Sequence, residues 1–322
     1  MQTMIDFDDA PIFAMPAFDG IGVREGMLIE GPQGWGEFSP HDDCDDRVAA
    51  RWLTAAIESG TVGWPDPVRG RVPIAVTVPA IEPRRARDIV ANAGCRTAEV
   101  RVGERAGSLA GDLARLEAVR DALGADGVIR CRADGTWDVD TAVSTIPALD
   151  LAAGGLDYVE QPCHTAPELA AVRARVDVPI ATAAPIHPDD PPRASLVGVA
   201  DVAILRCGPL GGVRRALVIA EACGLPCVVA STGKSSIGLA AGLALAGALP
   251  ELRHACAFDT TSLLSGDLVA GPRSLITVGG YLPVAPMPPA PDPELITRYA
   301  ITDPDRIAWW RRRLGAARRS VT

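Results

Sequence analysis

Aromatic side chains are scarce, at 4% of 322 residues. Ala, Val and Leu must therefore fill the interior, and a hydrophobic content of 48% is ample for a sizeable core. No run of about 18 apolar residues occurs, so no membrane span is expected. The stretch from Met1 to Asp9 is acidic and lacks an apolar segment, so no signal peptide is expected. Positive charge is in deficit, with 31 basic against 40 acidic residues and a net charge of −9. That balance favours solubility and argues against a nucleic-acid surface. None of the eight cysteines forms a Cys-x-x-Cys pair. Cys223 and Cys227 are four apart, but Gly224 and Pro226 break any helix between them. Reduced, mostly buried thiols and a cytoplasmic location are expected.

What is present is an alternation of short apolar runs and amphipathic stretches. The runs cover residues 73–78, 97–102, 127–132, 156–160, 178–182, 201–206, 226–231 and 254–258. Each is β-branched or apolar and short enough for a buried parallel strand. Between them Leu109, Leu113, Leu116, Val119 and Leu123 mark one helix face. Gly154-Gly155 stops a second helix, and residues 213–223, followed by Gly224, make a third. Eight such units predict an α/β fold of the (β/α)₈-barrel type, with a doubly wound sheet as the alternative.

The first 70 residues read differently. Residues 26–38 predict a hairpin with a Gly/Pro turn, followed by a helix over 47–59. This is a small α+β unit. The tail is rich in proline and ends in Trp309-Trp310-Arg311-Arg312-Arg313, expected to pack back on that unit rather than to bind a membrane or an acidic partner. The expected division is a capping domain at 1–71, a barrel at 72–270, and a C-terminal segment at 271–322 that completes the cap.

In barrels of this type chemistry sits at the C-terminal ends of the strands. Those ends carry Glu99 and Arg101, Arg132 and Asp134, Glu160, Thr182 with Ala183 and Ala184, Arg206, and then Ser231 to Lys234. A divalent cation needs several hard oxygen ligands converging. Here one acid, Glu160, stands between a cation and a methyl group.

Together with Gly34-Trp35-Gly36-Glu37-Phe38, Glu160-Gln161-Pro162-Cys163 and Pro209-Leu210-Gly211-Gly212-Val213, these features make the chain resemble the actinobacterial o-succinylbenzoate synthases of the enolase superfamily, over nearly its whole length. The resemblance implies a dehydration in menaquinone biosynthesis. It implies a Lys-x-Lys pair on the second strand and a lysine on the sixth, with Mg²⁺ on Asp, Glu and Asp of strands three to five. The metal and lysines would stabilise the dianion that forms when a proton is taken alpha to a carboxylate. The sequence departs at most of these positions. The lysine pair reads Glu99-Val100-Arg101. The metal positions read Arg132, Glu160 and Ala183, with Asp134 in place of an asparagine. The sixth-strand lysine reads Arg206, and the acid after the seventh strand reads Lys234.

Arginine stays protonated, so Arg101 and Arg206 are poor general bases. The expectation is a mouth with no metal and no other cofactor, in which Arg132 takes over the metal's charge and pairs with Glu160. Such a pocket would bind a small carboxylate through Arg132, Arg101, Arg206, Ser231, Lys234 and Glu99, because Arg geometry suits bidentate carboxylate contacts. Glu160, Asp134 or Lys234 would carry protons between the cationic Arg101 and Arg206. Burial beside arginines would lower the pKa of Lys234 and let it act as a base. Three readings stay open: a metal-independent lyase or isomerase, a non-catalytic paralogue that binds a ligand or protein, and residual synthase or muconate-cycloisomerase-like activity. A monomer or small homo-oligomer is expected.

Three further features carry less. Cys163 and His164 are adjacent and point apart, which disfavours a nucleophile–base pair. His187 sits in a Pro/Asp loop. Residues 231–236 resemble a phosphate loop but lack its earlier glycine, although the helix start there could hold an anion.

Overall fold

The computed structural model describes residues 5–16, 22–104, 108–183, 196–231, 233–258, 266–271, 275–284 and 287–321. Ala184, His187 and Thr232 lie outside the described residues.

Three antiparallel strands open the chain: β1 (Ile12–Pro16), β2 (Val23–Gly31) and β3 (Gly34–Phe38). The β2–β3 hairpin turns at Pro32-Gln33, as its Gly/Pro spacing predicts. The first strand, β1, is an addition to the hairpin and helix expected for this unit. Helix α1 (Asp46–Thr61) follows, its start fixed by Asp45, whose carboxylate accepts from the Val48 amide at 2.7 Å.

Next come β4 (Arg71–Pro73) and an eight-stranded parallel sheet: β5 (Ala75–Val78), β6 (Thr97–Arg101), β7 (Val128–Arg132), β8 (Val159–Glu160), β9 (Ile180–Ala183), β10 (Val202–Leu205), β11 (Cys227–Ser231) and β12 (Ala257–Phe258). Their spatial order is their chain order. A parallel bridge between Ile74 and Cys256 and the bond from the Ala75 amide to the Cys256 carbonyl at 2.9 Å join the first strand to the last. The sheet is therefore a barrel rather than an open doubly wound sheet. All eight apolar runs became strands.

The intervening helices are α2 (Pro83–Ala93), α3 (Leu109–Leu123), α4 (Val139–Ala153), α5 (Ala166–Arg173), the short α6 (Cys207–Leu210), α7 (Val213–Cys223) and α8 (Ser236–Ala248). Of the residues that marked α3, Leu116 and Val119 are fully buried, while Leu109 at its first turn is 44% exposed. Gly154 ends α4 in the left-handed conformation, φ +64°.

After the barrel, β13 (Tyr281–Pro283) pairs antiparallel with β4. Helices α9 (Pro293–Arg298) and α10 (Pro304–Val321) end the chain. Trp310, Leu314 and Ala317 of α10 are buried against Trp52, Leu53 and Ala56 of α1, forming one core with Met27, Ile29 and Phe38 of the hairpin. Arg306 ties α10 to the hairpin through Glu25 at 2.5 Å, and the Trp310 indole donates to the same carboxylate at 2.7 Å.

Period-two alternation sorts the barrel side chains. Ala98, Val100, Ile129, Cys131, Val159 and Ile180 point outward into the layer under the helices. Glu99, Arg101, Arg130, Arg132, Tyr158, Glu160, Ala181 and Ala183 consequently point into the lumen.

Candidate active site

A cavity of about 620 Å³ opens at the C-terminal ends of the barrel strands, under the capping domain. Arg101, Arg132, Asp134, Glu160, Ala183, Arg206, Ser231 and Lys234 line it from the barrel, and His41 and Trp52 from the cap. Of the site residues read from sequence, Glu99 alone does not reach this surface.

Glu99 sits one layer lower. Its carboxylate accepts from the Arg130 Nε at 3.0 Å, with both side chains buried. The Arg130 guanidinium also donates to the Ala255 carbonyl at 2.8 Å and lies 5.2 Å from the centre of the Tyr158 ring. Desolvation works against the Arg130 charge, but Tyr158, Glu99 and Glu160 outweigh it and raise its pKa. Glu99 therefore belongs to a buried ionic layer under the mouth, not to the ligand surface. Arg130 was missed in the sequence because one basic residue in an apolar run reads as a strand residue of either face.

The pairing at the mouth also differs from expectation. Arg132 and Glu160 are neighbours in register on β7 and β8, yet the bond formed is between Arg206 Nη2 and Glu160 Oε1, at 2.7 Å. Arg132 instead donates through its Nε to Asp134 at 2.6 Å, also in the cavity wall. Asp134 holds a φ of +52°, and this local turn places its carboxylate two residues on, within reach of Arg132. Closing a local contact orders less chain than spanning the strand pair. Glu160, 3% exposed, then takes the cation that projects across the lumen.

Arg101 is different. Among the described residues it joins no ion pair, and its Nε is buried without a hydrogen-bond partner. A buried donor left unsatisfied costs about 1–3 kcal/mol. Arg101 also lines the cavity, so an anionic ligand there would meet a cation that has no ion pair among the described residues.

Lys234 is the sole lysine in the sequence, among 31 lysines and arginines. It follows β11, where the chain leaves the barrel for α8. Its Nζ lies 3.2 Å from Glu37 Oε1, donates to the Ser39 hydroxyl, and stands 4.0 Å from the centre of the Trp52 ring. All three partners come from the capping domain. Burial pushes the ammonium down to about 7, against the attraction of Glu37. Glu37 is itself buried. Desolvation raises its pKa, but Lys234 and the Ser235 and Ser39 donors win, so the carboxyl titrates below its ordinary value. The Ser235 amide donates to Glu37 at 3.0 Å. Arg24 reaches the Ser39 carbonyl from the cap. The signal for Glu37 was present in Gly34-Trp35-Gly36-Glu37-Phe38. Its distance of nearly two hundred residues from Lys234 hid the contact.

Cys163 is fully buried in the outer layer, and burial pushes its thiol up to about 11. His164 lines the cavity without it. Gln161, at φ +49°, accepts from the Thr182 hydroxyl at 2.7 Å and locks β8 to β9 below the mouth. Among the described residues no group of three His, Cys, Asp or Glu side chains converges as a metal site.

A three-stranded cap on an eight-stranded parallel barrel, with ionisable side chains gathered where the two meet, defines an enolase-type two-domain protein. Residues 83–288 match the family described as enolase C-terminal domain-like, and residues 13–60 the one described as enolase N-terminal domain-like. The chain is 51% identical over 310 residues to o-succinylbenzoate synthase of Thermobifida fusca (strain YX), covering 95% of each chain. It is 47% identical over 295 residues to o-succinylbenzoate synthase of Mycolicibacterium smegmatis, covering 91% of this chain and 89% of the relative. The fold superposes on 2-chloromuconate cycloisomerase of Rhodococcus opacus 1CP with a TM-score of 0.76 and 21% identity, over 94% of this chain and 100% of that one. The chain belongs to the enolase superfamily and, within it, to the family of the o-succinylbenzoate synthases.

Proposed function

We propose that this chain is a metal-independent lyase or isomerase that acts on a small carboxylate held in the arginine-lined mouth. The observation that carries this reading is Arg101, a cation in the cavity wall with no ion pair among the described residues and a buried, unpartnered Nε. A carboxylate is the ligand that would complete it, because a guanidinium offers two parallel donors to two oxygens.

The donor set does not fit the Mg²⁺ that the superfamily implies. Strand-end positions Arg132, Glu160 and Ala183 offer one carboxylate, a cation and a methyl group. Arg206 already occupies the carboxylate at 2.7 Å. A hard divalent ion requires about six oxygen ligands and disfavours adjacent guanidinium groups. We therefore route no step through a metal.

In this reading the arginines bind the substrate carboxylate and stabilise negative charge that develops on it. Lys234 moves the proton. It is the one cation at the mouth that can lose its proton near neutral pH, and Glu37, 3.2 Å away, stays ionised and holds the ammonium in place. A second reading is supported by the three internal ion pairs, Arg206–Glu160, Arg132–Asp134 and Lys234–Glu37. A mouth that neutralises its own charges suits a non-catalytic carboxylate-binding paralogue.

Calorimetric titration with succinate and aryl-substituted succinates, in the presence of EDTA, tests the shared premise. We expect binding that weakens about tenfold to a hundredfold in Arg101→Ala, the value of one charge-assisted pair. No affinity for any dicarboxylate sinks both readings. Turnover of a bound acid in EDTA supports the enzyme, and binding without turnover supports the paralogue. Robust Mg²⁺-dependent formation of o-succinylbenzoate overturns the proposal in favour of the family reaction.

A further inference from the structure

Away from the mouth, on the opposite side of the barrel wall, two thiols meet. Cys223 ends α7 and Cys227 begins β11. Gly224 adopts φ +64° and reverses the chain, and Leu225 and Pro226 lead it back into the sheet. The Cys223 and Cys227 sulfurs consequently stand 3.9 Å apart, in hydrogen-bond contact. The helix-breaking residues between them are what bring the two sulfurs together.

The surroundings suit thiol exchange. Cys223 and Cys227 are buried at 5% and 7% exposure, where Cys131 and Cys256 have none. Cys227 and Gly224 line a cavity of about 800 Å³ that has Leu217, Leu225, Pro226 and Leu249 as its apolar walls. The hydrogen bond from the Cys227 thiol favours the Cys223 thiolate, which shifts Cys223 below its ordinary value despite partial burial. The other seven cysteines are shifted the opposite way, with burial the largest cause except at Cys227, where the bond to Cys223 leads. A thiolate, not a thiol, is the nucleophile in exchange.

We propose that Cys223 and Cys227 form a dithiol site that reduces small disulfides and closes into an intramolecular disulfide. The Cys223 thiolate attacks one sulfur of the small disulfide RSSR. A mixed disulfide forms on Cys223, and the first RS⁻ leaves. Cys227 then gives up its proton and attacks the Cys223 sulfur. The Cys223–Cys227 bond forms, and the second RS⁻ leaves. Two electrons pass from the dithiol to RSSR, and the two thiol protons end on the two released RSH molecules. Closing the bond requires the sulfurs to approach from 3.9 Å to about 2 Å.

The sequence makes the test direct. Cleavage after Arg215 and Lys234 releases residues 216–234 as one tryptic peptide that holds both thiols and no other cysteine. The native chain is incubated with oxidised glutathione, quenched with an alkylating agent, digested and weighed. The expected product is that peptide lighter by two hydrogen atoms, formed roughly tenfold faster than any product at Cys44 or Cys95. In Cys227→Ser the reaction should stop at glutathione attached to Cys223. The proposal is overturned if the native chain keeps a stable mixed disulfide on Cys223. It is equally overturned if Cys44 or Cys95 reacts while residues 216–234 stay fully alkylated. The result is independent of whether the mouth binds a carboxylate.

Discussion

The Arg206 guanidinium donates to the Glu160 carboxylate at 2.7 Å across the barrel lumen, although the register neighbour of Glu160 is Arg132. This pair occupies the one acid among the three strand-end positions where the family implies metal ligands. It joins β8 to the residue that follows β10 and skips β9, whose lumen-facing Ala183 offers only a methyl group.

Removing the cation should expose the cost of the buried acid. Arg206→Ala leaves the buried Glu160 carboxylate without this ion-pair partner, and we expect a loss of about 3 kcal/mol in urea denaturation. Adding Glu160→Gln to that variant should recover most of the loss, because the uncompensated charge is then gone. An unchanged denaturation midpoint in the single variant would show that the pair carries no stability.

Lys234 should titrate near neutrality. Because the sequence has no other lysine, amine-directed labelling read by mass spectrometry reports it alone in its tryptic peptide. Reactivity should rise with a midpoint at about 7, against an ordinary value of 10.5. The consequence for stability follows in sign. The folded chain releases this proton near pH 7, while the unfolded chain holds it to about 10.5, so between those values the unfolded state binds more protons and stability rises with pH. Below pH 7 both states are protonated and the contribution is flat. Glu37 acts in the acid range: its lowered pKa adds stability that is lost as pH falls through its folded value. A labelling midpoint near 10 would remove Lys234 from the proton-carrying role.

Millimolar Mg²⁺ should leave the melting temperature of the native chain unchanged. The combined variant Arg132→Asp with Ala183→Asp restores three carboxylates to the strand ends. It should be less stable than the native chain without metal, through like-charge repulsion, and should gain melting temperature when Mg²⁺ is added. A Mg²⁺-dependent rise in the native chain would contradict the reading of the mouth.

The cap depends on a close backbone approach. A Cβ on Gly36 would overlap the Ala56 carbonyl of α1, which is backbone and cannot step aside. Gly36→Ala should therefore cost about 3 kcal/mol and shift the neighbouring Glu37 away from Lys234. The labelling midpoint of Lys234 would move with it. A neutral effect on both readouts would show that α1 and β3 can separate at no cost.

The strands, their order and most of the residues at the mouth were legible in the sequence. Eight short apolar runs with helical stretches between them point to a barrel, and the C-terminal ends of those runs name the residues at its mouth. Glu37 too stood in a recognisable motif, without its role. The sequence could not say which lumen residues meet. Glu99 pairs downward with Arg130, Arg132 turns to its local Asp134, and Glu160 takes Arg206 from 46 residues away. Those choices depend on which of several neighbouring cations reaches a carboxylate at least desolvation and chain-ordering cost, and only the closed barrel sets those distances. The same holds for Lys234 under Glu37 and Trp52, and for Cys223 beside Cys227. Local pattern fixed the direction in which each of these side chains leaves the backbone, and tertiary packing fixed its partner.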